Sequence, residues 1–189
     1  MINNEYNFLF IRVAKTASTS LISGLPKTKT PANGWPYDQN HIPLWYYKNS
    51  ILKDSSYKNL FKFSFVRNPY DRAVSIWKYW NKWSRSQGGK TLDFKTLLTL
   101  NSDLINKEKF ISKYSNQYEF TKGCDFVGRL ENLQEDFDAA CNHIGIESKK
   151  LPFKNRTSHD HYSKYYNDET RQIVKEKYFK DLDYFGYGF

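Results

Sequence analysis

The chain has 189 residues, with 29 basic and 20 acidic side chains for a formal net charge of +9, and is 39% hydrophobic and 18% aromatic. That is one average domain with enough apolar material for a core, which excludes global disorder, and its 9 glycines and 6 prolines exclude a collagen-like or low-complexity chain. No run nears the ~18 apolar residues of a membrane span, and Met1–Glu5 carries no basic leader region, so a cytoplasmic chain is expected.

Residues 7–13 read as a buried strand: short, aromatic and β-branched. A hydroxyl-rich loop and a short helix near 18–24 follow. Residues 26–40, with Pro26, Pro31, Gly34 and Pro36, read as a long loop, and Pro43 suits the first turn of a helix near 43–53. A second strand covers 60–66 and ends at Arg67. Asn68 is then a good N-cap and Pro69 a good first residue for a helix that runs to about Trp83 and stops near Gly88-Gly89. Residues 92–120 predict one or two short helices. A third strand covers 124–130. Asn132 with Glu135 suggests a capping box for a helix over 133–144, stopped by Gly145. After a polar loop over 147–166, Asp168 is read as the cap of a last helix to about Lys180, with the aromatic tail Tyr184–Phe189 packing down. Strands alternating with helices predict an α/β fold: a single domain over 1–189, with a parallel sheet flanked by helices.

Cys124 and Cys141 lack metal-ligand spacing and read as buried free thiols. Of the 29 cations, 22 are lysines and 7 are arginines. The lysines suit a solvated coat or a functional basic face. The scarce arginines suit places where a planar fork is required, and Arg12, Arg67, Arg129 and Arg156 fall beside the segments that carry chemistry.

The first such segment is Arg12-Val13-Ala14-Lys15-Thr16-Ala17-Ser18-Thr19-Ser20, a loop between strand and helix. A helix N-terminus offers unbonded backbone N–H groups to an anion. Lys15 adds a mobile charge, and Ser18, Thr19 and Ser20 add short donors. An ordinary turn between strand and helix is the plainer alternative. The loop lacks Walker glycines, and its lysine precedes the hydroxyls. The second segment is Arg67-Asn68-Pro69-Tyr70-Asp71-Arg72-Ala73-Val74-Ser75. An arginine fork at a strand end and a serine two helical turns on suit a second phosphate, while Asp71 and Arg72 read as helix-end charges. Trp77, Trp80 and Trp83 share three-residue spacing, which favours core packing over a sugar platform.

In this order, the two segments resemble the PAPS-dependent sulfotransferases. Ala14-Lys15-Thr16-Ala17-Ser18-Thr19-Ser20 is similar to their 5′-phosphosulfate loop, roughly Pro-Lys-Thr-Gly-Gly-Thr-Ser, and its core to the version in uronosyl 2-O-sulfotransferases. The chain departs from that pattern in Ala14 and in a loop without glycine. Arg67 and Ser75 match the eight-residue spacing of the 3′-phosphate motif. Phe126–Leu133, Asn155-Arg156-Thr157 with His161-Tyr162, and Asp183–Tyr187 resemble later segments of the carbohydrate, membrane-type branch.

The resemblance implies a P-loop-like sulfotransferase fold and transfer of a sulfuryl group from PAPS to an acceptor hydroxyl, with PAP as product and no metal. It implies Lys15, Thr16, Ala17, Ser18, Thr19 and Ser20 at the 5′ end, Arg67 and Ser75 at the 3′-phosphate, and Arg156 as a further anion contact. His41, between the motifs, is then the candidate base, and Lys15 screens the leaving group. Trp35, Trp45 and Tyr46 flank His41 and suit a sugar ring or the core equally. The implied acceptor is a carbohydrate. Other readings are a P-loop-type nucleotide kinase, or a non-catalytic nucleic-acid- or PAP-binding protein. His143 reads as a helix-end residue, and His159 and His161 as loop residues without metal partners.

Overall fold

The computed structural model describes residues 1–27, 41–52, 57–100, 115–152 and 160–189. The strands are β1 (Ile2–Asn3), β2 (Phe8–Ile11), β3 (Phe61–Val66) and β4 (Phe126–Arg129), in the order β1-β2-β3-β4. β2–β3 and β3–β4 are parallel, with Ile11 opposite Ser64 and Val66 opposite Arg129. β1 is an antiparallel edge strand that pairs Ile2 with Leu9. Two residues are too few for a periodic signal, so the sequence pattern does not reveal it. The three expected strands are all present but trimmed at their ends.

The expected α/β fold is present: the described residues form a four-stranded, mostly parallel sheet flanked by helices. Alternation along β2 explains its two-sided burial. Phe8 and Phe10 pack with Phe63, Phe65, Leu21 and Phe137 on one face. Leu9 and Ile11 pack with Ile42, Leu44, Tyr47 and Phe120 on the other. Gly128 in β4 is required by closeness: a Cβ there would lie 2.5 Å from the Phe65 ring.

The described helices are α1 (Ser18–Gly24), α2 (Leu44–Tyr46, continued by a π turn over Tyr47–Ile51), α3 (Pro69–Ser86), α4 (Phe94–Thr99), α5 (Gln117–Thr121), α6 (Leu133–Ile144), α7 (Asp168–Lys177) and α8 (Phe179–Phe185). Pro43 is the residue before α2 rather than within its first turn. α3 begins as expected, with the Asn68 side chain accepting from the Tyr70 N–H and Pro69 at the first position. The Asn132–Glu135 capping box does not form. A 3-10 turn over Leu130–Asn132 leads into α6, and the Asn132 side chain makes no cap bond. Gly145 ends α6 at φ 73°, as expected. Asp168 is not a cap: Asn167 caps α7 in a box with Thr170, and a break at Tyr178 starts α8. Tyr70, Ala73, Val74, Phe94, Val174 and Tyr178 form a further core between α3, α4 and α7.

The tryptophan row of α3 divides. Trp77 packs on Phe94 and Tyr165 and donates to the Leu92 carbonyl, whereas Trp83 meets the Trp80 ring at a tilt with half its surface exposed. Cys141 is buried and Cys124 partly so, and both are free.

Candidate active site

Because the central strands are parallel, the C-terminal ends of β2, β3 and β4 share one edge of the sheet, where open α/β sheets hold their ligands. The turn from β2 into α1, Arg67 after β3 and Arg129 at the end of β4 therefore lie along that edge.

In the β2–α1 loop, Lys15 and Ala17 hold left-handed backbone at φ 69° and 59°. Such a conformation costs roughly 1–2 kcal/mol for a residue with a Cβ. It persists because four of the loop carbonyls are engaged. The Val13 carbonyl accepts from the Thr16 hydroxyl at 3.0 Å, and Ala14 from Arg72 Nε at 3.1 Å. The Lys15 carbonyl accepts from Arg67 Nη1 at 3.4 Å, and Ala17 from the N–H groups of Ser20 and Leu21. With its carbonyls turned into the protein, a loop of this kind presents N–H groups on its other side, the geometry of an anion nest. Ala17 is also the N-cap of α1 and supplies no side-chain cap. A Ser or Asp there would place an oxygen on the first N–H groups of the helix; an alanine places none.

The hydroxyls differ in what they can do. Thr16 is 1% exposed and donates within the loop, so it shapes the turn. Ser18 and Ser20 are buried, and Thr19 faces outward. Lys15 Nζ lies 4.5 Å from the centre of the Tyr79 ring on α3.

Arg67 leaves β3 with its guanidinium paired to Asp71: Nε donates at 2.9 Å and Nη2 lies at 2.7 Å. Asp71 is thus the partner of the candidate anion-binding arginine rather than a solvated charge. Arg72 also departs from its expected role. It is 1% exposed, with Nε on the Ala14 carbonyl and Nη1 on the Ser115 carbonyl at 3.0 Å, and Nη1 lies 4.0 Å from the fully buried Asp181. Burial holds the Arg72 pKa below, and the Asp181 pKa above, the ordinary values. Arg72, Ser75 and Tyr79 follow each other at three and four residues along α3, one helix face. Two of them touch the loop, and Ser75, 1% exposed, lies between them in sequence.

His41 Nδ1 is 3.0 Å from the Arg12 carbonyl, which joins it to the start of the same loop. A carbonyl only accepts, so Nδ1 carries the proton and the basic lone pair of the neutral ring is on Nε2. Trp45 is half exposed and meets Tyr46 edge-on at 5.9 Å. Arg129 is a clamp on the C-terminal region: Nη2 donates to the Phe185 carbonyl at 2.6 Å, and the guanidinium lies over Tyr187. His143 stacks on Phe61 at 3.8 Å, and His161 caps a 3-10 turn. Arg156, Trp35 and His159 lie outside the described residues. The structure therefore brings Lys15, the 16–20 segment, Arg67 and His41 to one sheet edge. It adds Arg72, Tyr79, Gln117 and Asp181, which sequence reasoning missed. For Arg72 the scarcity of arginine was a usable signal; for Gln117 and Asp181 the sequence holds none.

The Sulfotransferase family model matches residues 1–188. A protein of Archaeoglobus fulgidus described as uncharacterized is 26% identical over 125 residues, 65% of this chain and 98% of its own length. The crystal structure of a sulfotransferase from Alicyclobacillus acidocaldarius superposes with a TM-score of 0.53 at 14% identity, covering 97% of this chain and 96% of that one. The fold likeness and a family match that runs almost end to end place this chain in the sulfotransferase family.

Proposed function

We propose that residues 1–189 act as one catalytic domain that transfers a sulfuryl group from PAPS to an acceptor hydroxyl, on a carbohydrate. The observation that carries this reading is the meeting of two anion motifs 52 residues apart, with Arg67 Nη1 3.4 Å from the carbonyl of Lys15. PAPS bears charge at both its 5′ and 3′ ends, and a donor of that shape calls for two such motifs on one edge.

In this reading the N–H groups of the 15–20 segment and the Ser18, Thr19 and Ser20 hydroxyls hold the 5′ end, with Thr16 and Ala17 setting the loop. Arg67 and Ser75 meet the 3′-phosphate, and Arg156 adds a further contact. His41 Nε2 takes the proton of the acceptor hydroxyl as its oxygen bonds to sulfur. The bond from sulfur to the bridging 5′-phosphate oxygen breaks in line with it, and Lys15 leaves Tyr79 to screen the charge that develops there. The exposed Trp45 and the basic surface suit a sugar acceptor, as in the carbohydrate branch, and the Lys15–Thr19 core suits a loop of the uronosyl 2-O-sulfotransferase kind.

Calorimetry with PAP, AMP and ATP tests the donor. The expected result is tight binding of PAP alone. In Arg67→Ala, PAP weakens by roughly 1.5–3 kcal/mol, about ten- to 150-fold, while AMP changes little. Equal losses for PAP and AMP would refute the role of Arg67.

A further inference from the structure

Arg67 sits one residue past the last β3 pairing, where a strand's N–H and C=O lose their partners. The Gln117 side chain takes their place. Its Oε1 accepts from the Arg67 N–H at 2.9 Å, and its Nε2 donates to the Arg67 carbonyl at 2.8 Å. The primary amide thus pairs with Arg67 as a neighbouring strand would.

Gln117 is itself immobilised. It is 0% exposed, and its Nε2 and backbone N–H both donate to Asp181 Oδ2, at 3.2 and 2.9 Å. Asp181, also 0% exposed, accepts from the Tyr118 N–H through Oδ1 at 2.9 Å. Its other neighbour is Arg72, which holds the Ala14 carbonyl of the loop. One buried carboxylate on α8 therefore stands behind both anion motifs, through Gln117 toward Arg67 and through Arg72 toward Ala14.

We infer that Gln117, anchored by Asp181, is a positioning residue that fixes the Arg67 backbone, so that the guanidinium is aimed at the 3′-phosphate before the nucleotide arrives. This rests on the reading that Arg67 meets that phosphate. Asp71 steadies the far end of the side chain by an ion pair that a phosphate can displace, whereas the two amide bonds hold the backbone and leave the guanidinium free to meet a ligand. Selectivity for a 3′-phosphorylated nucleotide then depends on a side chain with no contact to the nucleotide.

The test is the ratio of PAP to AMP affinity in Gln117→Met, which keeps the volume and removes both amide bonds, with Gln117→Glu keeping only the acceptor. The ratio is expected to fall about tenfold in the methionine variant and less in the glutamate variant, with AMP affinity nearly unchanged. A role in packing alone would weaken both nucleotides together, and that result overturns the inference. Arg67→Ala separates the two ideas: a ratio that collapses there but not in Gln117→Met overturns the inference alone, while a ratio unchanged in Arg67→Ala overturns the underlying reading and the inference with it. Should the Gln117 variants not fold, NMR of the wild-type Gln117 side-chain amide decides. Its two N–H protons are expected to exchange slowly with solvent before any nucleotide is added and to stay protected when PAP binds; fast exchange without nucleotide, or exposure on PAP binding, overturns the proposal.

Discussion

Arg72→Met tests whether a buried guanidinium holds the β2–α1 loop. The substitution removes the donors to the Ala14 and Ser115 carbonyls and the cation 4.0 Å from Asp181 in a site that is 1% exposed. An unpaired buried carbonyl costs about 1–3 kcal/mol, and breaking a buried ion pair by removing one member costs about 3–5 kcal/mol in all. These overlap, so the expected loss is about 3–5 kcal/mol. With a urea slope of roughly 2 kcal/mol per molar, the unfolding midpoint falls by about 2 M, readable from tryptophan fluorescence. The deficit also carries a pH signature. Burial raises the Asp181 carboxyl above its ordinary value, and Arg72 opposes the rise. Without Arg72 the folded-state pKa climbs further. A carboxyl raised on folding adds stability that is fully present below its unfolded pKa, about 3.9, and is lost as pH rises through the folded value. The Arg72→Met deficit is therefore smallest in acid and grows toward neutrality. Arg72→Lys keeps the charge but not the fork, and falls between. A loss under about 1 kcal/mol, or a deficit independent of pH, would refute the reasoning.

Three further outcomes are expected. His41→Ala lowers transfer by about a hundredfold or more and removes the acidic limb of the pH–rate profile. It leaves PAP affinity unchanged and costs only about 1 kcal/mol of stability for the bond to the Arg12 carbonyl; activity retained per folded molecule would reject His41 as the base. Ala17→Gly, at φ 59°, relieves left-handed strain and raises the melting temperature by a few degrees, for a gain of roughly 1 kcal/mol; a lower melting temperature would contradict the loop geometry. The Asp93 carboxyl, at the N-cap of α4, is held below its ordinary value by the Thr96 hydroxyl and N–H. Its stabilising effect is present above the unfolded pKa and is lost as pH falls through the lower folded value, so Asp93→Asn flattens the acid limb of a stability–pH curve. An unaltered limb would show that the cap bond does not form in solution.

Local rules made much of this protein legible in its sequence. The three long strands, the Asn68-Pro69 start of α3 and the Gly145 stop of α6 depend on a few adjacent residues, and they formed as their chemistry dictates. The two candidate anion motifs were visible for the same reason, since a loop entering a helix and an arginine at a strand end are local patterns. Two helix starts departed from expectation because adjacent residues offered a competing local arrangement. Asn167 displaced Asp168 as the cap of α7 because Thr170 could return its hydrogen bond. Asn132 made no cap bond because a 3-10 turn preceded it.

Only the tertiary structure decided what holds the motifs together. Arg72 looked like a helix-end charge because its partners, the Ala14 and Ser115 carbonyls and Asp181, are distant in the chain. Gln117 carried no signal at all, because its function is to complete the backbone hydrogen bonding of a residue 50 positions away. Buried polar groups must be satisfied wherever the fold places them, and parallel sheets join strands that are far apart in sequence. The residues proposed to meet a ligand stand in local patterns, while those proposed to aim them are set by the packing.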